Sequence, residues 1–203
     1  MTAETLLADR EALLARIAAA MSPVRFQHVL GVEQTALALA DRYGCDPHQA
    51  SLAALLHDYA KEVPDQVFHD LIARYELDQD LLCWDNAVWH GVVGAYKIAE
   101  DFGLEDPAIF QAIQRHTLGA AEMTLLDKIL YVADYIEPGR DFPGVDEARR
   151  LAASSLDAAV AYEAKRTLAY LQQKNRPIHP QTLATYQAYQ QRANDNPKRR
   201  KET

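Results

Sequence analysis

Two His-Asp dipeptides occur in this 203-residue chain, and their surroundings predict different roles. His57-Asp58 ends the strongly apolar run SLAALL, which predicts a buried helix. A buried imidazole and carboxylate need partners, because burying an unsatisfied polar group costs free energy. His69-Asp70 lies on an amphipathic pattern that leaves it an exposed face, so it needs no special partner. The first pair is therefore the candidate for chemistry, and the second is an internal control.

Four more polar residues lie in apolar, helical-looking stretches: His28, His90, His116 and Asp134. Each of these residues, taken alone, is best interpreted as a hydrogen-bonded core residue. Together with His57 and Asp58 they make four imidazoles and two carboxylates, which are costly to bury unless they are paired or coordinated. Imidazole and carboxylate are typical ligands of Fe, Mn, Zn or Co rather than of an oxygen-ligated Ca²⁺. The set therefore predicts a transition-metal centre.

Two cations share a helix face with these residues. Arg25 lies three residues before His28, and Lys61 lies three residues after Asp58. On the metal-binding face of an acidic protein, a cation is expected to contact phosphate. A surface salt bridge is the alternative for both.

Asp127 lies seven residues before Asp134, on nearly the same helix face. Two interpretations stay open for its carboxylate: it orients a ligand histidine from the second coordination sphere, or it pairs with a nearby base. The remaining histidines, His48, His69 and His179, fit surface or turn positions better than ligation.

The elements that must position these residues are helices, because alanine is abundant and β-branched alternation is rare. Ser22 and Pro23 predict the start of a helix that Gly44 ends. Asp46 predicts the start of the next helix, with Gln49 in the reciprocal capping position. The fold class predicted is all-α.

A single domain is expected over residues 1–193, with the metal-site core at about 22–140. Single helices are predicted through 6–17 and over 86–102. Residues 194–203 are predicted to be a polar, basic, disordered tail.

The charge balance excludes some functions. There are 21 Lys+Arg against 29 Asp+Glu, which argues against a protein that coats DNA or RNA. No run approaches the length of a membrane span, and the N-terminal pattern is not that of a signal peptide. Cys45 and Cys83 form neither a disulfide framework nor a zinc motif, so a cytoplasmic location is expected.

Five sequence blocks carry the candidate ligands in the order His, His-Asp, His, His, Asp. They are RFQHVLGVE (25–33), ALLHDYAK (54–61), HGVVGA (90–95), IQRHT (113–117) and LDKILYVADYIEPGR (126–140). In this order the chain resembles the HD-domain metal-dependent phosphohydrolases of the six-ligand, two-metal form. It is most similar to the bacterial YqeK-type family of symmetrical diadenosine tetraphosphate hydrolases. Trp89 departs from the aliphatic residue expected before His90, a difference that concerns packing rather than ligation.

The resemblance implies two metal ions, with iron expected and manganese or zinc as alternatives. It assigns one metal to His28, His57, Asp58 and Asp134, the other to His90 and His116, and makes Asp58 the bridge. Asp58 and Lys61 would be catalytic. Arg25, Lys61 and Arg140 would bind substrate phosphates, and Arg140 rests on the resemblance alone.

The implied reaction is cleavage of diadenosine tetraphosphate to two ADP, with water attacking a phosphoanhydride phosphorus. Another HD phosphohydrolase, acting on a nucleoside monophosphate, an alarmone or a cyclic dinucleotide, is the alternative enzyme. Outside catalysis, the chain could be a nucleotide-binding regulatory module or a purely structural helical protein. A homodimer is left open, as is whether Tyr186 and Tyr189 on the C-terminal helix belong to the core or to an interface.

Overall fold

The computed structural model describes the backbone of residues 1–195 and the side chains of residues 1–193. This part of the chain forms twelve α-helices and one short 3-10 helix, and it contains no strand, so the all-α prediction is confirmed. The elements are α1 (Ala3–Leu7), α2 (Arg10–Ala19), α3 (Pro23–Tyr43), α4 (Pro47–Leu56), α5 (Asp65–Arg74), the 3-10 helix (Gln79–Cys83), α6 (Asn86–Val92), α7 (Gly94–Phe102), α8 (Pro107–Arg115), α9 (Leu125–Ile136), α10 (Val145–Ala152), α11 (Leu156–Gln173) and α12 (Pro180–Asp195).

Capping residues define the ends of α3 and the start of α4, the first two helices that carry candidate ligands. The Ser22 hydroxyl accepts the Arg25 backbone N–H at the start of α3, and Gly44 ends that helix with a left-handed φ of 75°. Asp46 caps α4 as predicted. The reciprocal cap predicted for Gln49 is wrong, because its side-chain amide donates to Asp106 at 2.9 Å.

Two predicted single helices are each divided. The helix predicted through 6–17 is divided at Asp9, which lies between α1 and α2. Asp9 caps α2, because its carboxylate accepts the Ala12 backbone N–H. The helix predicted over 86–102 breaks at Val93, between α6 and α7. A Cβ on Gly94 would lie 2.8 Å from the Cβ of Ala60, so the absence of a side chain allows this turn to approach its neighbour closely.

Packing places α3, α4, α8 and α9 together at the centre of the molecule. The main core takes buried residues from Ala3 to Tyr189, so the C-terminal helix contributes to the core. A second, smaller core contains Phe68 and Trp89. The Trp89 indole N–H donates to the Leu81 carbonyl at 2.7 Å, which satisfies its polar atom inside that cluster.

Asn194 and Asp195, predicted to begin the tail, end the helix α12, and the rest of that tail (196–203) lies outside the described residues. Cys45 and Cys83 are free thiols. Among the helices of residues 1–195, none combines the length and apolar character needed to cross a membrane.

Candidate metal centre

Five separate segments bring the six predicted ligands to one place. Five of the six candidate ligands lie at or just after the C-terminal end of a helix, while His28 lies in the second turn of α3. His57 ends α4 and Asp58 follows it, His90 lies in the last turn of α6, His116 ends α8, and Asp134 lies in the last turn of α9. The rings of His57 and His116 and the carboxylate of Asp58 are almost completely buried.

The Asp58 carboxylate lies between two pairs of imidazoles. Its Oδ2 lies 3.6 Å from His28 Nε2 and 3.5 Å from His57 Nε2. Its Oδ1 lies 3.4 Å from His90 Nε2 and 3.9 Å from His116 Nε2. Because each oxygen faces a different pair, this carboxylate has the placement of a ligand that bridges two metals.

Asp134 lies on the side of the first pair. Its Oδ1 is 3.0 Å from His28 Nε2 and 4.0 Å from His57 Nε2. The two halves of the site are continuous, because the rings of His57 and His116 lie 5.0 Å apart. Three overlapping groups of potential ligand atoms, each within 4.8 Å, together contain all six predicted residues.

The other ring nitrogen of every ligand histidine faces an acceptor. Three Nδ1 atoms lie close to backbone carbonyls of the preceding turn: His57 to Ala54 (2.7 Å), His90 to Asn86 (2.6 Å) and His116 to Ile113 (2.7 Å). His28 Nδ1 lies 3.1 Å from Glu137 Oε1. With the proton on Nδ1, each Nε2 presents its lone pair to the centre. The Nε2 atom of His57 is buried without a hydrogen-bond partner, which fits metal ligation.

The electrostatics favour deprotonated ligands in one half of the site. Burial and the neighbouring His57 lower the pKa of His116 to about 4. Burial, His116 and Lys61 hold the pKa of His90 well below its usual value. Both imidazoles are therefore neutral near pH 7, as metal binding requires.

The carboxylates are ionised in spite of their burial. Burial raises the pKa of Asp58, but His57, His90 and His116 outweigh it, and the net shift is downward. Burial likewise opposes the ionisation of Asp134, and interactions that include His28 and Arg140 bring its pKa well below the usual value. The pKa of His28 is raised, since its carboxylate neighbours outweigh burial. This imidazole holds its proton more tightly than the other ligands, so a metal must displace that proton.

The three predicted phosphate-binding cations surround the centre. Arg25 Nη1 lies 2.7 Å from Asp58 Oδ2, and Arg140 Nη2 lies 2.7 Å from Asp134 Oδ1. Lys61 Nζ lies 3.1 Å from His90 Nδ1, and burial lowers the pKa of this lysine. A groove of about 800 Å³ adjoins the centre and is lined by Arg25 and Arg140, together with Gln27, Leu30, Gly31, Gln34 and Glu62.

Asp127 contacts a base rather than a ligand histidine. Its fully buried carboxylate accepts from Arg115 Nη1 at 2.7 Å and from the Thr124 backbone N–H at 2.9 Å. It also forms the capping box of α9 with Thr124. The prediction that Asp127 orients a histidine is replaced by the alternative, pairing with a base. Arg115 directly precedes His116 at the end of α8, so Asp127 contacts the chain neighbour of this candidate ligand and not the ligand itself.

The other three histidines lie apart from the ligand groups found in the described part of the chain. His69 packs its ring edge against Trp89, and His48 lies exposed in the first turn of α4. His179 Nδ1 accepts the Gln181 backbone N–H, and its ring contacts Trp84. Sequence reasoning missed Glu137, which lies in a quoted block but contacts His28 from 109 residues away.

The helical fold and its His/Asp centre define an HD-type protein. The family model "HD domain" matches residues 25–139, which is more than half of the chain, and the chain belongs to this family. It is 44% identical over 178 residues to "Bis(5'-nucleosyl)-tetraphosphatase, symmetrical" of Bacillus subtilis (strain 168), covering 88% of this chain and 96% of that protein. It is 37% identical over 161 residues to the protein of the same description from Staphylococcus aureus (strain NCTC 8325 / PS 47), covering 78% of this chain and 83% of that protein.

A solved structure has the same architecture. It is described as a predicted HD superfamily hydrolase involved in NAD metabolism from Clostridium acetobutylicum. The TM-score is 0.85 at 32% sequence identity, and the match covers 90% of this chain and 97% of that one. The similarity therefore extends beyond residues 25–139 to the flanking helices.

Proposed function

We propose that this protein hydrolyses diadenosine tetraphosphate symmetrically and releases two ADP, using a two-metal centre. The observation that carries the proposal is the placement of Asp58, whose two carboxylate oxygens face separate histidine pairs. The relatives named as symmetrical bis(5'-nucleosyl)-tetraphosphatases support the substrate.

The residues divide the metal ligation between two ions. In the proposal, His28, His57, Asp58 and Asp134 would hold one ion, and His90 and His116 would hold the other, with Asp58 shared between them. Iron is the metal we expect, with manganese or zinc as alternatives. Two cations held in this way lower the pKa of a water and neutralise phosphate charge, which is the chemistry that a phosphoanhydride hydrolase needs.

The chain's own cations position the substrate. Arg25, Lys61 and Arg140 surround the candidate centre, and in the proposal they contact phosphate oxygens of the substrate. Arg25 and Arg140 also line the groove of about 800 Å³, which offers space for a nucleoside. Water adds its oxygen to one central phosphorus, and the bridging oxygen leaves with the other phosphorus. The products are two ADP and, with both new terminal phosphates fully ionised, the two protons of the water.

A labelled-water assay tests the reaction. Diadenosine tetraphosphate is incubated with the metal-loaded protein in H₂¹⁸O. The nucleotides are then separated by chromatography, and their masses are measured by mass spectrometry. We expect ADP alone, with one ¹⁸O for every two ADP. ATP together with AMP would contradict symmetric cleavage, and hydrolysis of guanosine tetraphosphate or a cyclic dinucleotide in preference would favour the alternative HD activity.

Elemental analysis of the same preparation tests the centre. We expect close to two transition-metal ions per chain in the unaltered protein and a loss of both in Asp58→Ala. A preparation that hydrolyses the substrate without bound metal would refute the two-metal proposal.

Location and assembly belong to the proposal as well. The free thiols Cys45 and Cys83 suit a reducing cytoplasm. A homodimer is the assembly we propose to test, by light scattering of the metal-loaded protein.

A further inference from the structure

The four ligand histidines are not held in the same way. The Nδ1 atoms of His57, His90 and His116 each lie within hydrogen-bond distance of a carbonyl from their own stretch of chain. His28 differs from them in that its Nδ1 lies against a carboxylate, that of Glu137, which comes from a distant element. We propose that Glu137 is a positioning residue, which fixes the ring of His28 for metal binding and ties it to the end of α9. This inference rests on the metal centre proposed above.

Glu137 is held at both carboxylate oxygens. Its Oε1 lies 3.1 Å from His28 Nδ1, and its Oε2 accepts the Gly139 backbone N–H at 2.5 Å. The residue is buried, at 5% exposure. Arg140 Nε lies 3.8 Å from Oε1, so the same carboxylate contacts the loop that carries a proposed phosphate-binding cation.

The position of Glu137 in the chain links two ligands of the same proposed metal. It is the C-terminal cap of α9, directly after the turn that carries Asp134. One carboxylate thus sets His28 on α3 relative to Asp134 on α9, whose Oδ1 lies 3.0 Å from His28 Nε2. A carboxylate that accepts the Nδ1 proton also fixes the tautomer of the ring and increases the basicity of Nε2.

Gly31 makes room for this arrangement. It lies three residues after His28 on α3, and a Cβ at this position would lie 2.5 Å from Glu137 Oε2 and 3.3 Å from its Cδ. A flexible carboxylate could ordinarily move away, but this one is held by Gly139 and His28. Alanine is otherwise preferred over glycine inside a helix. Gly31→Ala should therefore favour the helix and still disturb His28.

A double-mutant cycle tests the inference through metal binding, without an activity assay. The metal-free proteins are the unaltered chain, Glu137→Ala, Gly31→Ala and the double variant. Each is titrated with Zn²⁺ in competition with a chromophoric chelator. We expect each single variant to weaken one of two Zn²⁺ sites by about 10–100-fold and to leave the other unchanged. The double variant should bind within about twofold of Glu137→Ala, because Gly31→Ala has nothing left to displace.

Three controls make the result specific. Glu122→Ala removes a side chain that is 88% exposed and should bind both ions normally. Glu137→Gln retains one acceptor and should recover part of the lost affinity. Thermal unfolding should show that metal-free Gly31→Ala still unfolds in one cooperative transition, which separates ligand positioning from loss of the fold.

Two outcomes would overturn the inference. One is unchanged Zn²⁺ affinity in Glu137→Ala, and the other is a double variant whose affinity loss is the product of the two single losses. Absence of Zn²⁺ binding in the unaltered chain would instead overturn the metal centre itself, so the two failures are distinguishable.

Discussion

Replacing Asp127 by alanine should destabilise the protein without removing its metal. The fully buried carboxylate pairs with Arg115 at 2.7 Å and caps α9 through the Thr124 N–H. Breaking a buried ion pair costs about 3–5 kcal/mol. Arg115 is 29% exposed and also donates to the Glu122 carbonyl at 3.1 Å, so water and that carbonyl still solvate it. We therefore use the lower end, about 3 kcal/mol.

This free energy converts into a measurable melting shift. In a chain of this length, each kcal/mol lowers the midpoint by about 2–4 °C, so we expect a decrease of about 6–12 °C. Far-UV circular dichroism follows unfolding of the metal-free protein, and elemental analysis gives the metal content of the loaded protein. Asp157→Ala is the matched control, because the Lys128–Asp157 pair has the similar distance of 2.9 Å but a 41% exposed carboxylate. Asp157→Ala should lower the free energy of unfolding by less than about 1 kcal/mol.

Two results would refute this reasoning. If Asp127→Ala lost metal at an unchanged midpoint, the carboxylate would act on a ligand histidine after all. If Asp127→Ala and Asp157→Ala shifted the midpoint equally, burial would not control the strength of these pairs.

Three further results are expected. Asp58→Ala should abolish hydrolysis and metal binding, whereas His69→Ala should keep both, as measured by nucleotide chromatography and elemental analysis. Equal losses in the two variants would contradict the different roles assigned to the two His-Asp dipeptides. Lys61→Ala should reduce kcat/KM but keep both metals; loss of metal would make this lysine structural. Because the pKa of His116 is about 4 and that of His90 is also depressed, the unfolded chain binds more protons below about pH 6.5. Urea unfolding of the metal-free protein should therefore show stability falling between about pH 6.5 and 4: His116 alone contributes a loss of about 3 kcal/mol, which the raised pKa of His28 partly offsets. Stability that rises over this range would contradict those shifts.

The six candidate ligands could be selected from the sequence because each is a polar residue in an apolar helical stretch, a pattern visible within a short segment, and the structure brings them to one place. Helix ends were predictable where a side chain caps the nearby backbone, as at Ser22, or where a glycine adopts a left-handed φ, as at Gly44. The role of Glu137 was not, since its partner lies 109 residues away and only tertiary packing joins them. Beside the break at Val93, Gly94 approaches Ala60 so closely that a Cβ would lie 2.8 Å from the Ala60 Cβ, a tertiary contact that a short segment of sequence does not show.

The arrangement of helices around the ligands has an electrostatic consequence. His57, His90, His116 and Asp134 all lie at or near helix C-termini, where aligned peptide dipoles place about half a negative charge per helix. Four such ends converging on one point attract cations even before the ionised carboxylates are counted. The same field repels a polyphosphate. An anionic nucleotide should therefore bind well only after the cations are in place, which orders the two events: metal first, substrate second.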